Sequence, residues 1–151
     1  MLILLTAIVL LGCQSGSSTL PDNGETIVNG DNVSQILDKP WQLTGMIRDG
    51  NEIKLVDDSE VTILFNAEGK VAGGASVNRY FGDYELKETN LVWSGPGFGS
   101  TMMAGPEEMM TQEHLYLELL GKTNRISFST AGMTLFADGN SVILKFEKME
   151  E

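Results

Sequence analysis

Glu113 and His114 are the two side chains best able to move a proton, and Asn78 is the polar residue best suited to orient a group beside them. A carboxylate and an imidazole that converge on one cleft can divide acid–base work between them, which is what a hydrolase would require. Their adjacency points elsewhere. Neighbouring residues on a helix are turned by about 100°, so Glu113 and His114 look in different directions. Glu113 shares a helical face with Met109 and Leu117. That position suits a carboxylate that accepts hydrogen bonds from loop backbone or from Arg79 inside the fold. One histidine and one cysteine leave no usual metal set and no paired thiol nucleophile, and the serines have no oriented base. Two readings stay open: a hydrolase-type enzyme using Glu113, His114 and Asn78, or a fold with no catalytic residue, cofactor or metal.

The stretch GGASVNRYFGDY, residues 73–84, packs three glycines, an asparagine and three aromatic residues into twelve positions. It lacks the G-x-G-x-x-G spacing of a dinucleotide fingerprint, and no Gly-Lys-Ser/Thr closes it as a phosphate loop. A strand bending into a hairpin accounts for the glycines, with Asn78 bonding locally. Residues 94–106, SGPGFGSTMMAGP, form a second unusual stretch. It reads either as a mobile lip presenting Phe98 and Met102 to an apolar ligand, or as a connection in which Met103 plugs the core. With Arg79, Tyr80 and Phe81 from the first stretch, Phe98 and Met102 make the candidate binding surface.

These residues need a scaffold, and the chain is long enough for one domain with one core. WQLTGMI, VTILF, KVAGGA, DYELK and NLVWS read as short strands, with turns at RDGNE and NAEGK where Gly50 and Gly69 can take positive φ. RISFS, MTLFA and SVILKF add three more, the last two joined by Asp138-Gly139-Asn140. Between these groups, Pro106 and two glutamates open a helix over 106–121, Gly121 closes it, and Met109, Met110, Leu117 and Leu120 mark its core face. A short turn at Val33–Asp38, with Asn32 as its cap, precedes the first strand. The expected class is α+β: a single domain with a mainly antiparallel curved sheet of about eight strands and one principal helix.

The ends of the chain speak to location. A net charge of −11 without a basic cluster disfavours nucleic acid, whose phosphates require Lys and Arg. Residues 1–12, MLILLTAIVLLG, are too few to span a bilayer as a helix but match the apolar core of a secretory leader. Leu10-Leu11-Gly12-Cys13 resembles the bacterial lipobox, which implies cleavage after Gly12 and lipidation of Cys13. The partner so implied is a membrane, reached through an N-terminal lipid anchor. Residues 13–32 have the Ser-, Gly-, Asn- and Asp-rich composition of a flexible tether, leaving 33–151 as the folded domain. Gln14, in place of an aspartate, implies by the enteric sorting rule the periplasmic face of the outer membrane.

The motifs then identify a family resemblance. Gly73, Val77-Asn78-Arg79 and Gly82-Asp83-Tyr84, followed by Thr101, Met103, Pro106 and Glu113, resemble the META/HslJ domain over roughly residues 38–148. That family shows a Gly-Cys-Asn-x-x-x-Gly-x-Tyr motif, a later Thr-x-Met-Ala-Cys-Pro motif and a helical Glu. The resemblance implies structural duty for Gly73, Asn78, Gly82, Tyr84, Thr101, Met103, Pro106 and Glu113. It also implies that Val77 and Gly105 stand where relatives carry a disulfide, within bridging reach of one another. Ser76 replaces a frequent glycine. By resemblance the function is that of a non-enzymatic envelope lipoprotein, a binding or scaffold module linked to heat shock and novobiocin resistance. Its partner would be an envelope protein or a hydrophobic or peptide ligand. A hydrolase and a purely structural envelope component are the alternatives.

Overall fold

The computed structural model describes residues 24–150. The expected leader, Cys13 and the first part of the expected tether lie outside the described residues. The remainder forms strands β1 (Thr26–Ile27), β2 (Trp41–Arg48), β3 (Asn51–Ile53), β4 (Thr62–Phe65), β5 (Lys70–Gly74), β6 (Arg79–Lys87) and β7 (Asn90–Ser100). Helix α1 (Glu107–Leu120) follows, then β8 (Arg125–Phe128), β9 (Met133–Phe136) and β10 (Val142–Lys148). The strands make one sheet in the order β1-β8-β9-β10-β2-β4-β5-β6-β7, with β3 beside β2. Every named pairing is antiparallel.

The α+β class is as expected, and the described residues form ten strands where about eight were expected. The additions are β1 and β3, of two and three residues, too short to show alternation. β3 exists because Asp49 and Gly50 both take positive φ, 50° and 78°, the geometry of a two-residue hairpin turn. β1 corrects the boundary of the tether: Thr26 and Ile27 pair with Phe128 and Ser127, and Val28 is fully buried. Val33–Gln35 is a single 3-10 turn, shorter than the expected Val33–Asp38. Asn32 stands at its N-terminus without capping it, because its side chain bonds Asn29 and Ile27 instead.

Curvature brings the far end of the sheet back toward its beginning. The Leu91 N–H on β7 donates to Asn124 O (2.9 Å), and Trp93 Nε1 donates to Thr123 O (3.0 Å), just ahead of β8. The core sits inside this curl. Leu135, Leu144 and Met46 stand opposite one another across β9, β10 and β2, and all three are fully buried.

Helix α1 covers that core with a face that differs from the expected one. Its buried residues are Gln112, Glu113, Tyr116, Leu119 and Leu120, whereas Met109, Met110 and Leu117 are half-buried. The buried set keeps helical spacing, but two members are polar and so escape a hydrophobic count. Gly121 ends the helix at φ −64°, without the left-handed conformation for which glycine is usually recruited.

Candidate functional site

The β5–β6 turn, the segment between β7 and α1, and the first half of α1 meet at Asn78. Its amide uses every valence. Oδ1 accepts from the Met103 N–H (2.7 Å) and from Thr101 Oγ1 (2.9 Å). Nδ2 donates to Glu113 Oε1 (2.7 Å) and to Met103 O (3.2 Å). The Asn78 backbone N–H donates to Glu113 Oε2 (2.7 Å), as does that of Val77 (3.1 Å). A buried carboxylate without a cation partner is costly, and three convergent N–H donors offset that cost. Asn78 and Glu113 are only 4% and 6% exposed, so neither is open to a substrate.

The neighbours extend this clasp. The Arg79 N–H donates to Thr101 Oγ1 (3.1 Å), and the Thr101 N–H returns to Arg79 O (3.0 Å). Gln112 Oε1 accepts from the Val56 N–H, while its Nε2 reaches Ser59 and Ser76 hydroxyls, each at 2.8 Å. Ser76 holds φ +106°, backbone that favours glycine, at the position where the family resemblance implies one. The Gln112 bond helps retain that strained turn. Among the described residues every buried side-chain nitrogen and oxygen has a partner.

Behind the clasp lies an aromatic layer. The Tyr80 hydroxyl donates to Thr62 O (2.9 Å) and lies 2.8 Å from the Tyr116 hydroxyl. Burial pushes the Tyr80 and Tyr116 phenols up, the former further raised by the neighbouring Tyr116. Tyr84 donates to Asn66 O (2.7 Å) and is also shifted upward, mainly by burial. Gly73 is required by close approach: a Cβ there would lie 2.0 Å from Thr62 O. At Gly82 a Cβ would meet the Phe98 ring at 2.8 Å.

The expected site residues therefore separate into two groups. Asn78, Thr101, Met103 and Glu113 meet directly, with Glu113 bound to loop backbone and the Asn78 amide rather than to Arg79. Gly73, Gly82, Tyr84 and Pro106 shape the strands and the helix start around them. Among the surface candidates, Arg79 is exposed, Phe81 is 59% exposed and Met102 is 98% exposed. Tyr80 is not on the surface, being 1% exposed, and strand alternation explains it: Arg79 and Phe81 point out while Tyr80 points in. Phe98 is half-buried, edge-on to Tyr80 and Trp93 at 5.8 and 5.1 Å. Met103 does not plug the core; it is 60% exposed, because Asn78 grips its backbone and leaves the side chain outside.

The expected lip is in large part a strand. β7 runs to Ser100, and Gly95 and Gly97 take positive φ within a bulge opposite Gly82. His114 is exposed and does not join Asn78 and Glu113. Sequence reasoning passed over Gln112, a polar residue next to Glu113, and marked Ser76 only as a replacement for a frequent glycine, without its bond to Gln112. It also passed over a groove of about 460 Å3 elsewhere on the sheet, where Phe136, Ile143 and Ile47 stand in a row across β9, β10 and β2.

Residues 34–150 match the family model described as META domain. No curated protein matches the chain. Among solved structures, a protein from Burkholderia xenovorans determined by NMR is 22% identical with a TM-score of 0.68, over 91% of this chain and 97% of that one. A crystal structure of a DUF4847 family protein from Bacteroides vulgatus is 10% identical with a TM-score of 0.56, over 79% of this chain and 98% of that one. At these identities the likeness is one of fold.

Proposed function

Because the chain belongs to the META domain family, we propose that it is a non-enzymatic binding or scaffold module of the bacterial cell envelope, held to the membrane by a lipid on Cys13. In this reading it serves envelope stress tolerance from the periplasmic face of the outer membrane. It meets an envelope protein with Arg79, Phe81, Met102 and Met103. The observation that carries the binding role is the contrast inside one loop. Asn78 fastens the Met103 backbone from both sides, yet Met102 is 98% and Met103 60% exposed. A backbone already fixed has little freedom left to lose when a partner covers the loop, so the ordering cost falls on the side chains alone.

The geometry supports the non-enzymatic half as well. Glu113 and Asn78 spend their hydrogen-bonding capacity on one another and on backbone, and His114 stands apart. Crosslinking in intact envelopes tests the surface, comparing wild type with a Phe81→Ser, Met102→Ser double variant. Loss of a specific crosslinked partner is expected, and an unchanged set of partners rejects the surface. Cys13→Ala should release the chain from the membrane fraction; continued retention rejects the anchor.

A second reading is favoured by the groove along Phe136, Ile143 and Ile47, whose size suits a small apolar or peptide ligand. Ile143→Asp separates the two: it abolishes binding in the groove and spares the Met102 surface.

A further inference from the structure

We infer that Met102 and Met103 form a reversible methionine-sulfoxide site that changes the chemistry of this face without disturbing the fold. The methionines of the described residues fall into distinct classes. Met46 and Met133 are 0% and 1% exposed, Met109, Met110 and Met149 are half-buried, and Met102 and Met103 are 98% and 60% exposed. Oxidation follows access to the sulfur, so the pair between β7 and α1 reacts first.

The loop is also built to survive the change. Its conformation is fixed by the Thr101 N–H and hydroxyl, the Met103 N–H and the Met103 carbonyl. None of those bonds uses a thioether. A sulfoxide at Met46 or Met133 would place a new polar group in the packed core, whereas one at Met102 faces water.

The reagent class is an oxygen-atom donor such as hypochlorous acid. The thioether sulfur gives up an electron pair and gains the oxygen. The O–Cl bond breaks, chloride leaves with two electrons, and the hydroxyl proton passes to solvent. The product is a polar sulfoxide in place of an apolar side chain, and methionine sulfoxide reductases can restore it. Next to Thr101, which is bonded to Arg79, this replaces exposed apolar side chains with polar ones. Its effect on partner binding rests on the proposed docking role; the order of oxidation does not.

The test treats the full-length chain carrying Cys13→Ser with limiting hypochlorous acid, then maps oxidation by peptide mass spectrometry. Met102 and then Met103 should be modified before any other described methionine, at least about tenfold ahead of Met46 and Met133. The unfolding midpoint should not move, and retention on a phenyl column should fall. Met102→Gln with Met103→Gln should give the same early elution and show no further shift with oxidant. Oxidation of Met109, Met110 or Met149 as early as Met102, or loss of fold on modification of the pair, overturns the site. Unchanged phenyl retention after both sulfurs are oxidised overturns the surface switch. Failure of the envelope crosslinking would instead reject the docking role and leave these two measurements to stand or fall alone.

Discussion

Val77 and Gly105 face each other across the clasp: a Cβ built on Gly105 would lie 3.4 Å from Val77 Cβ and 2.7 Å from its nearer methyl. Disulfide-bonded Cβ atoms lie about 3.5–4.5 Å apart, so the two positions are within bridging reach, with Cα atoms inside ~7 Å. In this chain the valine methyls occupy the space a bridge would take, and the glycine leaves room for them. The pairing implied by the family resemblance therefore has a geometric basis in a protein that lacks both cysteines.

A Val77→Cys, Gly105→Cys variant in a Cys13→Ser background should oxidise spontaneously. The closed loop should add about 2–4 kcal/mol of stability over its reduced form. Urea unfolding with and without reductant measures the difference. Two free thiols after air oxidation, or a lower midpoint when oxidised, would show that the backbone cannot accept the bridge. Gly105→Ala alone should destabilise, since its methyl meets the Val77 side chain with no compensating bond.

The bond between Glu113 and Asn78 makes a second prediction. Glu113→Ala strands the Val77 and Asn78 N–H groups and one Asn78 amide donor. Buried groups left unpaired cost about 1–3 kcal/mol each, and relaxation and water recover part, so a total near 3–5 kcal/mol is expected. Asn78→Ala should cost ~2–4 kcal/mol by releasing Thr101, Met103 and Glu113 together. Because the two share one network, the double variant should cost clearly less than the sum. Strict additivity in denaturant unfolding would show that Asn78 and Glu113 do not act as a unit.

Local chemistry carried much of this architecture into the sequence. Gly50 and Gly69 announced turns and take positive φ, and Pro106 with two glutamates announced the helix. The clasp was only half legible. Asn78 and Glu113 stood out through their motifs, but the bonds join residues 35 apart, and only the fold brings them together. Gln112 was hidden because a buried polar residue looks like a surface one until its partners are known. The glycines and proline of 94–100 read as loop because a bulged strand needs the same backbone freedom. Tyr80 could have been placed, since Arg79, Tyr80 and Phe81 alternate as strand residues must.

The tyrosines give the last prediction, and they include every tyrosine in the chain. Tyr80, Tyr84 and Tyr116 all have phenols raised above the ordinary value of 10.0, in each case chiefly by burial. Asp38 adds to the shift at Tyr84, whereas the hydrogen bond shared with Tyr80 opposes it at Tyr116. The folded chain thus keeps protons that the unfolded chain releases above about pH 10. Stability is fully present below that pH and falls as pH rises through it, because the unfolded state then binds fewer protons. Tyrosinate absorbance should stay low near pH 10 and then appear together with loss of the far-ultraviolet circular dichroism of the sheet. Gradual ionisation of all three tyrosines near pH 10 with the fold intact would contradict the buried hydroxyl pair. Tyr116→Phe should weaken the fold at neutral pH by about 1 kcal/mol through the lost bond to Tyr80, and should make its alkaline unfolding less steep.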